Sequence, residues 1–144
     1  MKLSTRGRYG LKAMFELALH YGEGPISLRN VASEQKISEN YLEQLAAKLR
    51  KEGLLESVRG AQGGYMLAKA PDEITVGNVL RVLEGDMAPA DCILDSELHK
   101  CSREEECVTK LVWLKIRDSI DEVIDTITLK DMIEEHDKLI TEKN

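Results

Sequence analysis

The most restrictive stretch of this sequence runs from Ser27 to Ala68, where two short amphipathic segments, a tight turn and a glycine-rich hairpin follow one another without a spare linker. Ser27 is a natural N-cap, because its hydroxyl can accept an orphan N–H at a helix start, and it precedes the apolar Leu28, Val31 and Ala32. A turn over residues 35–37 leads to Ser38, which is expected to cap a second helix. The buried face of that helix is Tyr41, Leu42, Leu45, Ala46 and Leu49, and Arg50 and Lys51 close it before Gly53. Strands are predicted over residues 54–58 and 65–68, joined by Arg59-Gly60-Ala61-Gln62-Gly63-Gly64, a sequence that tolerates positive φ.

Helix, tight turn, helix and then a hairpin with a cationic tip is the winged helix-turn-helix order, in which the second helix enters the DNA major groove. The flanking segments agree with a mainly α fold. Over residues 8–21, Leu11, Met14, Phe15, Ala18 and Leu19 keep helical spacing until Gly22, Gly24 and Pro25. Thr75 can cap a helix carrying Val76, Val79, Leu80 and Leu83, which ends at Gly85. The period then fails over residues 86–107, a long loop holding Pro89 and all three cysteines. Beyond it Trp113, Ile116, Ile120, Val123 and Ile127 step by three and four, the seam of a long helix that pairs with another. Thr128 can cap a last short helix near Leu129 and Met132.

Charge divides the chain. Residues 1–69 hold eleven Lys and Arg against seven Asp and Glu, a net +4, whereas residues 70–144 hold nine against nineteen, a net −10. A basic binding head over 1–69 is therefore expected, with an acidic appendage over 70–144 made of a bridging helix, the cysteine loop and the long helix. Six aromatics are too few for the stacking platforms of single-strand binders. No stretch approaches the ~20 apolar residues of a membrane-spanning helix, and the start Met-Lys-Leu-Ser-Thr-Arg lacks the apolar run of a signal peptide. A cytoplasmic chain without a membrane partner, with reduced thiols, is expected. No phosphate loop, HExxH, nucleophile elbow or Cys-x-x-Cys occurs, so no enzyme is expected.

Double-stranded operator DNA is the expected partner. Ser38, Asn40, Tyr41, Glu43, Gln44 and Lys48 belong to the second helix of the pair, where polar groups off the apolar stripe can read base edges. Arg59 and Gly60 at the hairpin tip, with Arg6 and Arg8 ahead of the first helix, can position phosphates or reach a minor groove. The competing reading is a helical redox or zinc-binding adaptor that dimerises without touching DNA.

The segments Ser4-Thr5-Arg6-Gly7-Arg8-Tyr9-Gly10, Tyr41-Leu42-Glu43-Gln44-Leu45 and Val58-Arg59-Gly60-Ala61-Gln62-Gly63-Gly64-Tyr65 resemble, in register, signatures of the Rrf2 family of bacterial transcription regulators. The resemblance covers nearly the whole chain and implies a homodimer with winged heads and a long C-terminal dimerisation helix. Members with three loop cysteines look like iron-sulfur sensors, so Cys92, Cys101 and Cys107, spaced Cys-x8-Cys-x5-Cys, are the implied ligands of a 2Fe-2S cluster, with 4Fe-4S the alternative. Zinc is the nearest competing metal. The resemblance further implies control of iron-sulfur assembly genes, with nitric-oxide defence and cysteine metabolism as the other regulons.

The fourth ligand is where this chain departs from the pattern. Where the family's biogenesis regulators carry a histidine three residues after the third cysteine, this chain has Lys110; where some nitric-oxide sensors use an N-terminal aspartate, it offers Arg6 and Arg8. None of these three cations can ligate. His99, Glu104, Glu105, Glu106, Asp91 and Glu43 remain, with His99 the better donor and Glu43 the one that would link a cluster directly to base readout.

Overall fold

The computed structural model describes residues 2–93 and 106–143. The described residues form six α-helices and one hairpin: α1 (Thr5–Leu19), α2 (Leu28–Gln35), α3 (Glu39–Lys51), β1 (Leu55–Val58), β2 (Gly64–Leu67), α4 (Val76–Glu84), α5 (Val108–Thr126) and α6 (Leu129–Lys143). Short 3₁₀ turns lie at Pro71–Glu73 and Asp91–Ile93, the second of them inside the segment expected to be irregular throughout. The strands pair antiparallel from Leu55 opposite Leu67 to Val58 opposite Gly64. The architecture is the expected winged helix-turn-helix followed by a long helix.

Local side-chain capping explains the starts of α2, α4 and α6. The Ser27 hydroxyl accepts from the Asn30 N–H at 3.3 Å. Thr75 and Asn78 cap α4 reciprocally at 2.9 and 3.0 Å, and Thr128 and Asp131 do the same for α6 at 2.9 and 3.1 Å. Ser38 stands at the N-cap of α3 as expected, but its side chain makes no capping bond. Lys36, in the left-handed region at φ 55°, ends α2 and turns the chain toward α3.

Helix α1 begins three residues before its predicted start. Its buried stripe is Gly7, Gly10, Ala13, Met14, Glu16, Leu17 and Ala18, rotated from the expected one, and Phe15 and Leu19 are only half-buried. Glycine costs roughly 0.5–1 kcal/mol in a helix interior, so Gly7 and Gly10 look like a break in the periodicity. They are there because α1 crosses α4: a Cβ at Gly7 would collide with the Glu84 carboxylate, and one at Gly10 with the Leu83 side chain. The core that this crossing closes includes Met14, Val31, Leu42, Leu45, Leu49, Ile74, Val79 and Leu129, drawn from five helices and the segment before α4.

The expected seam on the long helix divides in two. Ile120 and the buried Ile124 turn onto Val76 and Leu80 of α4, so Ile120 is an intramolecular contact. Arg81 reinforces that contact with two bonds to Asp125, at 2.6 and 2.9 Å, and one to Asp121 at 3.1 Å. Hydrogen bonding to Arg81 pulls the Asp125 carboxyl below its usual value. Ile127 leaves the helix as its C-cap, and its carbonyl accepts from the Val76 N–H at 2.8 Å. Val108, Leu111, Val112 and Val123 remain 74, 59, 47 and 55% exposed, an apolar surface apart from the one that packs on α4. The last helix is also longer than expected, at 15 residues. No helix among the described residues is long and apolar enough to cross a membrane.

The wing is fastened to the segment before α2. Tyr65 and Ile26 exchange backbone bonds at 2.8 and 2.9 Å. Gly64, at φ 154°, lies so close that a Cβ there would meet the Ile26 carbonyl. Gly64→Ala is expected to cost at least about 2 kcal/mol, because the clash is with backbone that cannot rotate away. The urea midpoint should fall with an unchanged slope. A wild-type unfolding curve would mean that the wing is not held at Ile26.

Candidate functional site

Burial sorts α3 into two faces. Leu42, Leu45, Ala46 and Leu49 are buried, while Ser38, Asn40, Glu43, Gln44 and Lys48 are exposed. Amide, carboxylate and ammonium groups at helical spacing can meet the donor and acceptor pattern of a major groove. Tyr41 differs from these. It is half-buried, its hydroxyl lies 3.1 Å from the Thr5 hydroxyl of α1, and its ring meets Tyr9 edge-on with centroids 6.0 Å apart. It ties α3 to the first turn of α1.

Two cations flank that aromatic pair. The Arg8 guanidinium lies 5.9 Å and the Lys12 ammonium 5.6 Å from the centre of the Tyr9 ring, so both stand beside α3. Sequence reasoning missed Lys12. It lies one helical turn from Arg8 within the helix expected over residues 8–21, and only the packing of Tyr9 on Tyr41 brings both cations toward α3. Arg6 is exposed but folds back, donating from Nε to the Leu83 carbonyl at 3.3 Å. Arg59 and Gly60 sit exposed at the wing tip, where φ of 116° at Gly60 makes the turn closed by the Gly63 N–H at 3.1 Å.

The cysteine loop is described at its two ends. Cys92 is half-buried in the 3₁₀ turn, and Arg117 of α5 holds that turn by donating to the Ile93 carbonyl at 3.3 Å. Cys107 is the N-cap residue of α5, with its sulfur 3.0 Å from the Thr109 hydroxyl. That hydroxyl and the Lys110 N–H, with lesser help from the Thr109 N–H and the Lys110 charge, hold the Cys107 thiol below its ordinary value against the opposing effect of burial. Both ends of the loop are thus anchored on one helix. Glu106 is exposed, and Asp91 lies in the 3₁₀ turn. Cys101, His99, Glu104 and Glu105 lie outside the described residues. Among the described residues no three His, Cys, Asp or Glu side chains are gathered to hold a metal ion. The two described thiols are soft donors of the kind that suits iron-sulfur clusters or zinc.

Comparison with known proteins follows the same outline. The profile of the Rrf2 family, described as iron-dependent transcriptional regulators, matches residues 3–135. The chain is 38% identical over 140 residues to the HTH-type transcriptional regulator IscR of Erwinia tasmaniensis, covering 97% of this chain and 83% of that protein. The solved structure of T. potens IscR superimposes with a TM-score of 0.77 at 51% identity, over 94% of this chain and 88% of the other. That of CymR, the global cysteine regulator of B. subtilis, gives 0.74 at 48% identity, over 92% and 95%.

A lowered thiol pKa means that the Cys107 thiolate persists to lower pH than that of an ordinary cysteine. In metal-free protein with Cys92 and Cys101 changed to Ser, Cys107 should therefore react with iodoacetamide near neutral pH faster than free cysteine does. Thr109→Val should slow it. A pH–rate profile that overlays that of free cysteine would contradict the geometry.

Proposed function

The chain belongs to the Rrf2 family of transcriptional regulators, and on that premise we propose that it reads a specific operator with α3 under the control of an iron-sulfur cluster. Its named relatives are regulators and it is not an enzyme. In this reading Asn40, Glu43, Gln44 and Lys48 address base edges, Ser38 and Gly60 lie against the backbone, and Arg6, Arg8 and Arg59 neutralise phosphates. Lys12 joins them. Tyr41 keeps α3 at the angle these contacts need.

Cys92, Cys101 and Cys107 would hold the cluster, with His99 or Glu43 completing the set. A 2Fe-2S centre would supply a redox- and iron-sensitive group whose presence changes the net charge carried by the loop. The observation that carries this reading is the anchoring of both loop ends on α5, with the Cys107 sulfur already biased toward the thiolate. A thiol pKa held below the ordinary value reduces the proton cost of ligation. Iron-sulfur assembly genes are the regulon we assign. Cysteine metabolism is the second reading, favoured by the 48% identity with a global cysteine regulator.

The proposal also makes the chain a homodimer, with two heads on half-sites along one face of the duplex. Val112 and Val123 on the exposed surface of α5 would be its contact, in place of Ile120. Val123→Asp, which places a charge in that contact, should give monomers in sedimentation and lose specific binding together. A dimeric variant with normal binding would remove Val123 from the interface.

The function itself is tested on an operator selected from random duplexes by anaerobically prepared protein. Stripping iron should change operator affinity by roughly tenfold or more, equivalent to the usual 1–3 kcal/mol of an allosteric coupling. Arg59→Ala should weaken binding to all duplexes and flatten the salt dependence, while Gln44→Ala should relax sequence preference alone. Identical affinity with and without iron would defeat the cluster reading. Unchanged binding in both variants would defeat the DNA-contact assignment.

A further inference from the structure

Helix α1 is capped from far away in sequence. Ser4 occupies its N-cap position, yet the Ser4 side chain makes no capping bond to the helix. The acceptor is Glu84, the last residue of α4. Its Oε1 receives the Gly7 N–H at 3.0 Å, the Ser4 N–H at 2.9 Å and the Ser4 hydroxyl. A carboxylate there also meets the positive end of the α1 dipole. Burial raises the Glu84 pKa, but the Ser4 and Gly7 hydrogen bonds lower it by more, so the group stays ionised and bound. Beside it the Arg6 Nε bonds the Leu83 carbonyl, so the first turn of α1 is fixed twice to the end of α4.

Two features make this contact more than a packing detail. The next residue of the same turn of α1, Thr5, pairs with the Tyr41 hydroxyl of α3, between the exposed Asn40 and Glu43. On the other side, Gly85 at φ 82° is the C-cap of α4 and opens the segment that leads to Cys92. Glu84 therefore sits where the loop segment meets the head, and the turn of α1 that it caps also carries Thr5, whose hydroxyl meets Tyr41, the residue that holds α3 against α1.

We infer that Glu84 is a positioning residue for α3, acting through Ser4, Gly7 and the Thr5–Tyr41 hydroxyl pair rather than by touching DNA. The inference deepens the reading of α3 as the recognition helix and rests on it. A displacement of the α4 end uncaps α1, releases Thr5 from Tyr41 and frees α3 to change its angle. By this path the state of the loop reaches the groove, whatever the loop binds.

The test uses full-length protein with Glu84→Ala, Glu84→Gln, Tyr41→Phe and the double variant Glu84→Ala/Tyr41→Phe. Glu84→Gln keeps the Oε1 acceptor and should retain most of the operator preference, whereas Glu84→Ala should lose roughly tenfold of it, the scale of one charge-assisted hydrogen bond. Binding to random duplex should change little. The double variant should be no worse than Glu84→Ala alone, because both substitutions cut one path. Amide hydrogen exchange over residues 39–47 should quicken in Glu84→Ala and not in Glu84→Gln. Unchanged exchange in that segment, or additive losses in the double variant, would overturn the inference. Wild-type protein without operator preference would instead remove the recognition-helix reading, while the exchange result would still decide the link between Glu84 and α3.

Discussion

The close crossing of α1 and α4 is the contact on which the rest of the fold depends. It exists because positions 7 and 10 are glycines that let the Glu84 carboxylate and the Leu83 side chain approach the α1 backbone. Once α1 lies there, its remaining stripe of Ala13, Met14, Leu17 and Ala18 joins the residues of α2, α3 and β2 in one core. Leu129 of α6 enters the same core because Thr75 and Thr128 pair as an antiparallel bridge beside it. The head and the helices that follow it therefore share their apolar interior.

Electrostatics then give each surface its character. On the head, the exposed cations Arg8 and Lys12 gather on Tyr9, and Tyr9 leans on Tyr41, so positive charge lies beside the polar face of α3. On the appendage, Asp121 and Asp125 are spent on Arg81, which keeps α5 on α4 while the Val112 and Val123 surface faces outward. Much of the binding free energy of such a head comes from phosphate neutralisation, for which the local charge beside α3 matters more than the net charge of the chain. A net −6 chain is thereby compatible with operator binding.

The winged order was legible because its signals are local: a glycine-rich turn between two short strands, a short helical period, and caps at Ser27, Thr75 and Thr128 that form the expected bonds. The start of α1 was hidden by glycines whose reason is a partner about 80 residues away, and the same distance concealed Glu84. The full length of α6 was in the sequence, since Leu129, Met132, Ile133, His136, Leu139 and Ile140 keep helical spacing beyond the point where the helix was expected to end. Periodicity along α5 announced an apolar stripe without saying which neighbour each residue meets. Ile120 and Val123 share a stripe in the sequence but part company in the fold. Of the site, the polar face of α3 and the cysteines were readable from residue type, whereas the duties of Tyr41 and Arg6 as struts were not.

The central claim is that thiols at the two ends of a loop anchored on α5 bind iron and sulfide. The most direct measurement is the absorption spectrum of freshly purified protein, kept anaerobic throughout, with iron and acid-labile sulfide determined on the same sample. The account predicts a coloured protein with visible thiolate-to-iron bands, and iron and sulfide in equal amounts that vanish together in Cys92→Ala, Cys101→Ala or Cys107→Ala. A colourless protein that carries zinc or no metal, or a coloured one unaffected by loss of any of these cysteines, would contradict it.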